Sequence, residues 1–220
     1  MKILLSWSSG KDSAWSLHLL NQTYPGCVAA LLTTVNDSYD RVAMHGVRSE
    51  VVAAQARAAG LPLRIVLIPD HCSNEAYDKR MQQTVSDAVN DGFTHMAFGD
   101  LFLRDIRQYR EDRLAGTGLE PLFPLWNLPT PALATTMIDA GLRAKIACVD
   151  NRLVPEALVG REFDRSLLAE LPAPIDPCGE NGEFHTCVYA GPMFDRPVGL
   201  IVGEEVRRDP FVWRDLLLQP

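Results

Sequence analysis

The sequence predicts an α/β fold in which an open, Rossmann-like parallel sheet with flanking helices is followed by a smaller α+β domain. In the first half, short apolar runs alternate with helical patterns, and each run is nearly continuous in apolar residues. Such runs are typical of parallel strands buried on both faces. From about residue 121 the alternation of strand and helix patterns weakens, and prolines occur at positions 121, 124, 129 and 131. We therefore expect domains at 1–120 and 121–220.

Each predicted element follows from its own local pattern. The four strands of the first domain are expected at 3–5, 28–34, 63–68 and 96–98. Helices are expected at 47–60, at 74–92 with Asn74 as cap, at 104–114, and from Thr130 as cap to Gly141. Strand-like runs at 144–149, 184–189 and 198–202 precede a C-terminal stretch of mixed character. The second domain is therefore predicted to mix helix and strand.

Composition and charge argue against several classes of function. The 220 residues carry a net charge of −7, which disfavours broad capture of nucleic acid or anionic lipid. No leader-like segment and no apolar run of bilayer length is present. The five cysteines include no CxxC pair, as is usual for reduced thiols in a cytosolic protein. We therefore expect a cytoplasmic protein without a membrane or nucleic-acid partner; a homodimer is compatible with the sequence.

The strongest functional signal lies where the first predicted strand ends and the first helix begins. The residues there are Ser8, Ser9, Gly10, Lys11, Asp12 and Ser13. A loop in this position lies on the ligand-binding edge of an open sheet, and the N–H groups of a helix start attract anions. Small residues permit close approach to phosphate oxygens, and Lys11 adds a positive charge. The loop therefore predicts a polyphosphate site, although it matches neither the Walker A nor the GxGxxG pattern.

This loop resembles the SGGxDS motif of the PP-loop, or N-type, ATP pyrophosphatases, with Ser9 in place of the first glycine. If the backbone there requires a positive φ, serine is disfavoured by about 1 kcal/mol; otherwise its hydroxyl adds a phosphate contact. Further blocks resemble the diphthine-ammonia ligase family within this superfamily. They are Gly99-Asp100-Leu101-Phe102, Arg107-Gln108-Tyr109-Arg110-Glu111, Pro121-Leu122-Phe123-Pro124-Leu125-Trp126 and Gly179-Glu180-Asn181-Gly182-Glu183-Phe184-His185-Thr186. The last block is the most specific of them.

The resemblance implies a HUP-type ATP-binding domain and an ATP-dependent ligase. Such an enzyme adenylates a substrate carboxylate, releases pyrophosphate and forms an amide with ammonia. The implied cofactors are ATP and Mg²⁺, and the implied partners are a carboxylate-bearing acceptor, either a small molecule or a modified protein side chain, and ammonium. We expect free ammonium rather than glutamine as the nitrogen source. The identity of the acceptor stays open.

Individual residues are assigned roles from the resemblance and from their position at the sheet edge. Catalytic roles are expected for Lys11, Asp12, Glu183 and His185. Asp12 is also the candidate Mg²⁺ ligand, although an aspartate in a first helical turn stabilises the helix dipole without a metal. Beyond the loop, the nucleotide is expected to contact Thr33, Thr34, Met44, His45, Gly99 and Asp100. Acceptor binding is expected at Arg107, Glu111, Glu180, Glu183, His185 and Thr186.

Two other functions compete with amide formation. One is ATP-dependent thiolation by an enzyme of the same superfamily. That chemistry requires a reactive cysteine set and a basic RNA surface, which this acidic sequence does not offer. The other is a sensor that binds ATP without turning it over, which the charged residues beside the loop disfavour. The sequence therefore favours the ligase.

Overall fold

The computed structural model of the protein describes residues 1–42 and 45–220, which form two sheets and six α-helices. The helices are α1 (Lys11–Thr23), α2 (Ser49–Ala58), α3 (Asn74–Asn90), α4 (Arg104–Leu114), α5 (Thr130–Asp139) and α6 (Arg165–Glu170). The strands are β1 (Ile3–Ser6), β2 (Val28–Asn36), β3 (Arg41–Val42), β4 (Leu63–Ile68), β5 (His95–Ala97), β6 (Glu120–Leu122), β7 (Arg143–Asp150), β8 (Phe184–Ala190), β9 (Leu200–Arg208) and β10 (Phe211–Leu218). In these described ranges, no helix is both long and apolar enough to cross a membrane.

The two sheets confirm the predicted fold class. The first has the order β3-β2-β1-β5-β6, with β4 paired to β2, and all of its pairs are parallel except that of β2 with β3. The second is antiparallel, in the order β8-β7-β10-β9. Strand β6 spans the predicted domain boundary at residue 120 and belongs to the first sheet. The chain therefore passes from an open α/β sheet into a separate antiparallel sheet.

Strand β1 is buried on both faces, as its continuous apolar sequence predicts. Ile3 and Leu5 belong to a cluster that also holds the buried side chains of α1 and α2, whereas Leu4 belongs to a second cluster with those of α3 and α4. The first cluster continues through Val188 of β8 and Val212 of β10. The two sheets thus share one hydrophobic core, which fixes β8 against the start of α1.

Several local predictions were wrong. Strand β4 is not buried on both faces, because it lies at the edge of its sheet and leaves Ile65 and Leu67 46% and 52% exposed. Helix α3 is capped by Ser73, whose hydroxyl accepts a hydrogen bond from Ala76 N, so Asn74 is the first helical residue. Thr130 likewise lies inside α5 rather than at its cap. The C-terminal stretch of mixed character is strand β10, which pairs with both β7 and β9.

An ion-pair cluster ties the first sheet to the second. Asp215 of β10 accepts hydrogen bonds from Arg41 Nη1 of β3 at 2.9 Å and from Arg48 Nη2 at 2.7 Å. Hydrogen bonding from Arg48, followed by that from Arg41, lowers the pKa of Asp215 to about 2 despite partial burial. Because the ionised carboxylate is favoured in the folded state, it contributes stability above its unfolded pKa.

Removing this carboxylate is expected to loosen the contact between the sheets. Asp215→Asn should reduce the free energy of unfolding by about 1–2 kcal/mol at neutral pH, since two arginines lose a charged acceptor. The difference from wild type should shrink as pH falls from about 4 towards 2, where Asp215 becomes protonated. Urea denaturation at several pH values measures both effects. Asp139→Asn is the matched control, because its ion pair with Arg165 is more than half exposed on both sides and should contribute little.

Candidate active site

The predicted phosphate loop, Ser8 to Ser13, follows β1 and includes the first turn of α1, at the carboxyl edge of the parallel sheet. The hydroxyls of Ser8 and Ser13 are 3.2 Å apart, and Ser13 Oγ also accepts a hydrogen bond from Ser8 N. The segment after β5 packs closely on this loop, since a Cβ on Gly99 would lie 3.0 Å from the backbone of Asp12 and Ser13. The loop and the end of β5 therefore form one edge of the site.

Ser9 occupies the conformation that favours glycine. Its φ is 72°, its side chain is fully buried, and its carbonyl accepts hydrogen bonds from Val188 N at 2.9 Å and Gln55 Nε2 at 3.1 Å. The left-handed backbone costs a serine about 1 kcal/mol more than a glycine. Contacts from β8 and α2 therefore hold the loop in a strained shape, and the Ser9 hydroxyl does not line the cavity.

Lys11 is buried between the two halves of the chain. Its ammonium donates hydrogen bonds to the carbonyl of Cys178 and to Asp12 Oδ2, and it lies 5.6 Å and 5.5 Å from the ring centres of Phe163 and Phe184. Burial opposes the charged form, but attraction to Asp12 leads a set of interactions that together raise its pKa. Lys11 thus stays charged, and its ammonium joins the phosphate loop to the loop before β8.

The loop before β8 is organised by Glu183. Its Oε1 accepts hydrogen bonds from Asp176 N and Asn181 Nδ2, and its Oε2 accepts one from Asn181 N, at distances of 2.9–3.1 Å. Asp176 in turn accepts a hydrogen bond from Glu180 N at 2.9 Å. Glu183 is buried and does not line the cavity, so its contacts shape the loop that presents Glu180.

Three carboxylates face one another across the site. Burial raises the pKa of Asp12, Asp100 and Glu180, and their mutual repulsion adds to the effect at Asp100 and Glu180. For Glu180 the pKa reaches about 7, although its carboxylate accepts a hydrogen bond of 2.7 Å from Leu101 N. Arg110 Nε approaches Asp100 Oδ2 only to 3.6 Å. The cluster is therefore incompletely neutralised by the protein.

A pair of histidines with tilted rings forms another wall. The rings of His45 and His185 are 4.6 Å apart, and His45 Nδ1 lies 3.2 Å from the carbonyl of Thr186. Burial lowers the pKa of both imidazoles, that of His185 to about 4. The Thr186 hydroxyl accepts a hydrogen bond from Lys11 N at 3.0 Å. The pair is therefore neutral at pH 7, and Thr186 caps the first turn of α1.

These groups surround a cavity of about 490 Å³. Many of the predicted site residues line it: Ser8, Lys11, Asp12, Ser13, Thr33, Thr34, His45, Gly99, Asp100, Glu180, His185 and Thr186. Five buried side-chain atoms on its wall have no hydrogen-bond partner among the described residues: Asp12 Oδ1, Thr33 Oγ1, Asp100 Oδ2, Arg110 Nε and His185 Nε2. An unsatisfied buried polar atom costs about 1–3 kcal/mol, so this wall is suited to a polar ligand.

Other predicted residues lie elsewhere. Arg107 and Glu111 pair with each other at 2.7 Å, and Arg107 also stacks on Phe123 and Trp126, so neither residue lines the cavity. Gly10 lies beneath it, where a Cβ would meet the His45 ring at 2.8 Å. Met44 lies outside the described residues.

Arg110 is the functional candidate that the sequence did not single out. It lines the cavity and lies 4.9 Å from the centre of the Phe98 ring. The spacing of α4 contains a signal for it, because Ile106, Arg110 and Leu114 follow one another at steps of four. Leu114 is buried and Ile106 lines the cavity, so this face of α4 points inward.

The donor set fits a nucleotide with Mg²⁺. Mg²⁺ takes one or two carboxylates together with phosphate oxygens and water rather than a complete protein cage. In the part of the chain that is described, no three His, Cys, Asp or Glu side chains are arranged to hold a metal by themselves. Asp12 and Asp100 could supply such a partial set, because each has a carboxylate oxygen that accepts no hydrogen bond from the described residues.

Comparison with known protein families matches both halves of the chain. Residues 1–116 match the diphthamide synthase N-terminal domain, and residues 129–213 match the diphthamide synthase C-terminal domain. A search of curated proteins found no match. The chain therefore belongs to the diphthamide synthase family, whose N-terminal domain is of the PP-loop superfamily.

Proposed function

We propose that this protein is an ATP-dependent ligase that adenylates a substrate carboxylate and then forms an amide with ammonia. The observation that carries the proposal is that five buried polar atoms with no hydrogen-bond partner among the described residues lie on one cavity beside the phosphate loop. Residues 1–120 would bind ATP, and residues 121–220 would supply the acceptor loop. The acceptor would be a small molecule or a modified protein side chain, with free ammonium as the nitrogen source.

The arrangement of polar groups supports a nucleotide that lies along the sheet edge. The hydroxyls of Ser8 and Ser13 and the start of α1 suit the phosphates, since helix N-termini attract anions. Thr33 and Thr34, at the end of the neighbouring strand β2, suit the nucleoside. Mg²⁺ would be held by Asp12, with Asp100 beside it, and would neutralise charge that develops on the phosphates.

In the proposed reaction, a carboxylate oxygen of the acceptor attacks the α-phosphorus of ATP. The bond from that phosphorus to the bridging oxygen breaks, and its electron pair leaves with pyrophosphate. Ammonium loses a proton to solvent to give ammonia, which attacks the acyl carbon; the bond to AMP breaks with its electron pair leaving on AMP, and the nitrogen loses a second proton to solvent. A neutral His185, whose pKa is about 4, can accept a hydrogen bond from ammonia but cannot act as an acid at pH 7.

The cysteines do not support sulfur transfer as the chemistry. A sulfur carrier requires an accessible thiol with a lowered pKa. Among the described residues, Cys178 is the cysteine that lines the cavity, and burial strongly raises its pKa. Its thiol lies 3.6 Å from the carbonyl of Thr130. Amide formation is therefore the favoured reaction within the superfamily.

The identity of the products tests the proposal directly. We would incubate the protein with ATP, Mg²⁺, ammonium and a panel of carboxylates, and separate the nucleotides by chromatography. AMP and pyrophosphate in equal amounts are expected. Formation of ADP and orthophosphate would overturn the proposal, and tight binding of ATP without any turnover would favour a sensor instead.

The role of Asp12 predicts a selective loss of chemistry. Asp12→Asn should reduce AMP formation by about a hundredfold or more, because a carboxylate that holds the metal near the phosphates is lost. Its melting temperature should change by only a few degrees. Glu75→Gln is the matched control, since Glu75 is an exposed acid in the first turn of α3 and lies outside the cavity. Equal rates for the two variants would contradict the metal role.

The raised pKa of Glu180 predicts that the protein loses stability as pH rises and this carboxyl group ionises. Between its usual pKa of 4.5 and its folded pKa of about 7, ionisation of this buried acid increasingly destabilises the protein. Without ligands, Glu180→Gln should therefore be more stable than wild type by about 1 kcal/mol at pH 8, and about equal at pH 4. Thermal melting at both pH values measures this. A variant that is less stable at pH 8 would show that the charge is compensated.

A further inference from the structure

A second cavity lies between helices α3 and α4, against β5. It has a volume of about 290 Å³. Its lining includes Tyr77, Met81, Met96, Phe98 and Arg110, all of which also line the 490 Å³ cavity beside the phosphate loop, here called the phosphate cavity. The two cavities therefore adjoin, with these five side chains at their junction. We call the second cavity the α3–α4 groove.

The walls of the α3–α4 groove are largely apolar. Val85, Val89 and Leu114 continue the apolar surface that begins at Met81 and Phe98. Only Val85 and Ala88 of the seventeen residues of α3 are buried, so this helix leaves much of its inner face uncovered. Burial of apolar surface yields about 25 cal/mol per Å². The groove is therefore suited to the apolar part of a ligand.

Charges at the outer end of the groove are already paired. Asp78 accepts a hydrogen bond from the Tyr109 hydroxyl at 3.0 Å and pairs with Arg113. The guanidinium of Arg113 also lies over the Tyr109 ring, 5.2 Å from its centre. This end therefore calls for no charged group on the ligand.

Arg110, at the junction, is less completely paired. It is held against the Phe98 ring, and its Nε has no hydrogen-bond partner among the described residues. Its ion pair with Asp100, at 3.6 Å, is longer than a hydrogen bond. A guanidinium matches the two oxygens of a carboxylate, which makes arginine the usual residue for binding that group.

Resting on the proposed function, we infer that the α3–α4 groove holds the apolar arm of the acceptor and that Arg110 binds the acceptor's carboxylate. The arm would lie on Phe98 and Val85, with the carboxylate directed towards the phosphate cavity. The substrate class is thus a carboxylic acid on a mainly apolar arm. Adenine is the competing occupant, but Thr33 and Thr34 place the proposed nucleoside position beside β2, on the other side of β1.

Direct binding of a probe acid tests this inference without relying on turnover. The probe is para-fluorophenylbutyrate, observed by fluorine NMR with protein saturated by Mg²⁺ and the α,β-methylene analogue of ATP. The corresponding amide is the control ligand. The acid is expected to bind about tenfold more tightly than the amide, because only the acid pairs with Arg110.

Two variants locate the probe. Ser86→Trp places an indole in the α3–α4 groove from an exposed position, and should weaken binding of the acid and the amide by about tenfold or more. Gln83→Trp, on the same helix but outside the groove, should bind both as wild type does. Arg110→Met should weaken binding of the acid alone, whereas Arg104→Met, at the exposed start of α4, should have no effect.

The outcomes separate this inference from the proposed function. Unchanged probe binding in Ser86→Trp, or displacement of the nucleotide analogue by the probe, would overturn the assignment of the groove. AMP assays with ATP and the same probe then address the reaction. Probe binding in the groove together with ADP formation would support the groove and contradict the proposed ligase. If AMP forms from ATP in the presence of the probe, and forms equally fast in Ser86→Trp, the assignment of the groove would be contradicted while the proposed ligase would stand.

Discussion

The site depends on the contacts that β8 and its preceding loop make with the phosphate loop. Val188 N donates a hydrogen bond to the carbonyl of Ser9, and Lys11 N donates one to the Thr186 hydroxyl. The Lys11 ammonium donates a third to the carbonyl of Cys178. A phosphate loop needs small residues and an accessible backbone, which give it little rigidity of its own. The second sheet supplies that rigidity, and this explains how Ser9 is kept at a positive φ.

Much of the fold could be predicted from the sequence, because central strands and helix ends have strong local signals. Ile3, Leu4 and Leu5 of strand β1 lie alternately against the two helix layers, and Gly60 and Gly141 end their helices with positive φ. Strand β4 misled the prediction, since an edge strand and a central strand can have the same apolar sequence. Strand β10 was missed because Arg214 and Asp215 interrupt its apolar pattern for the ion pairs they make.

The candidate site was predictable where its residues are near one another in sequence, and less so where it depends on which way a helix faces. The phosphate loop and the block before β8 both reach the cavity, as the motifs suggest. The charges of α4 gave no such guide, because Arg107 and Arg110 look alike in sequence while one faces Trp126 and the other the cavity. The environment of Lys11 also differs from the one that the motif suggests: its ammonium is buried against a carbonyl rather than free at the loop surface.

The burial of Lys11 has a consequence for how ligands enter and leave. Moving the second sheet away from the phosphate loop would break the hydrogen bond from the Lys11 ammonium to the Cys178 carbonyl and would remove the ammonium from the rings of Phe163 and Phe184. A hinge opening at this seam would therefore lose a charge-assisted hydrogen bond and two cation–π contacts at once. Ligands would instead enter and leave beside the lightly packed helix α3, because few of its side chains are buried. A local displacement of that one helix would open the site to ligands without separating the two sheets.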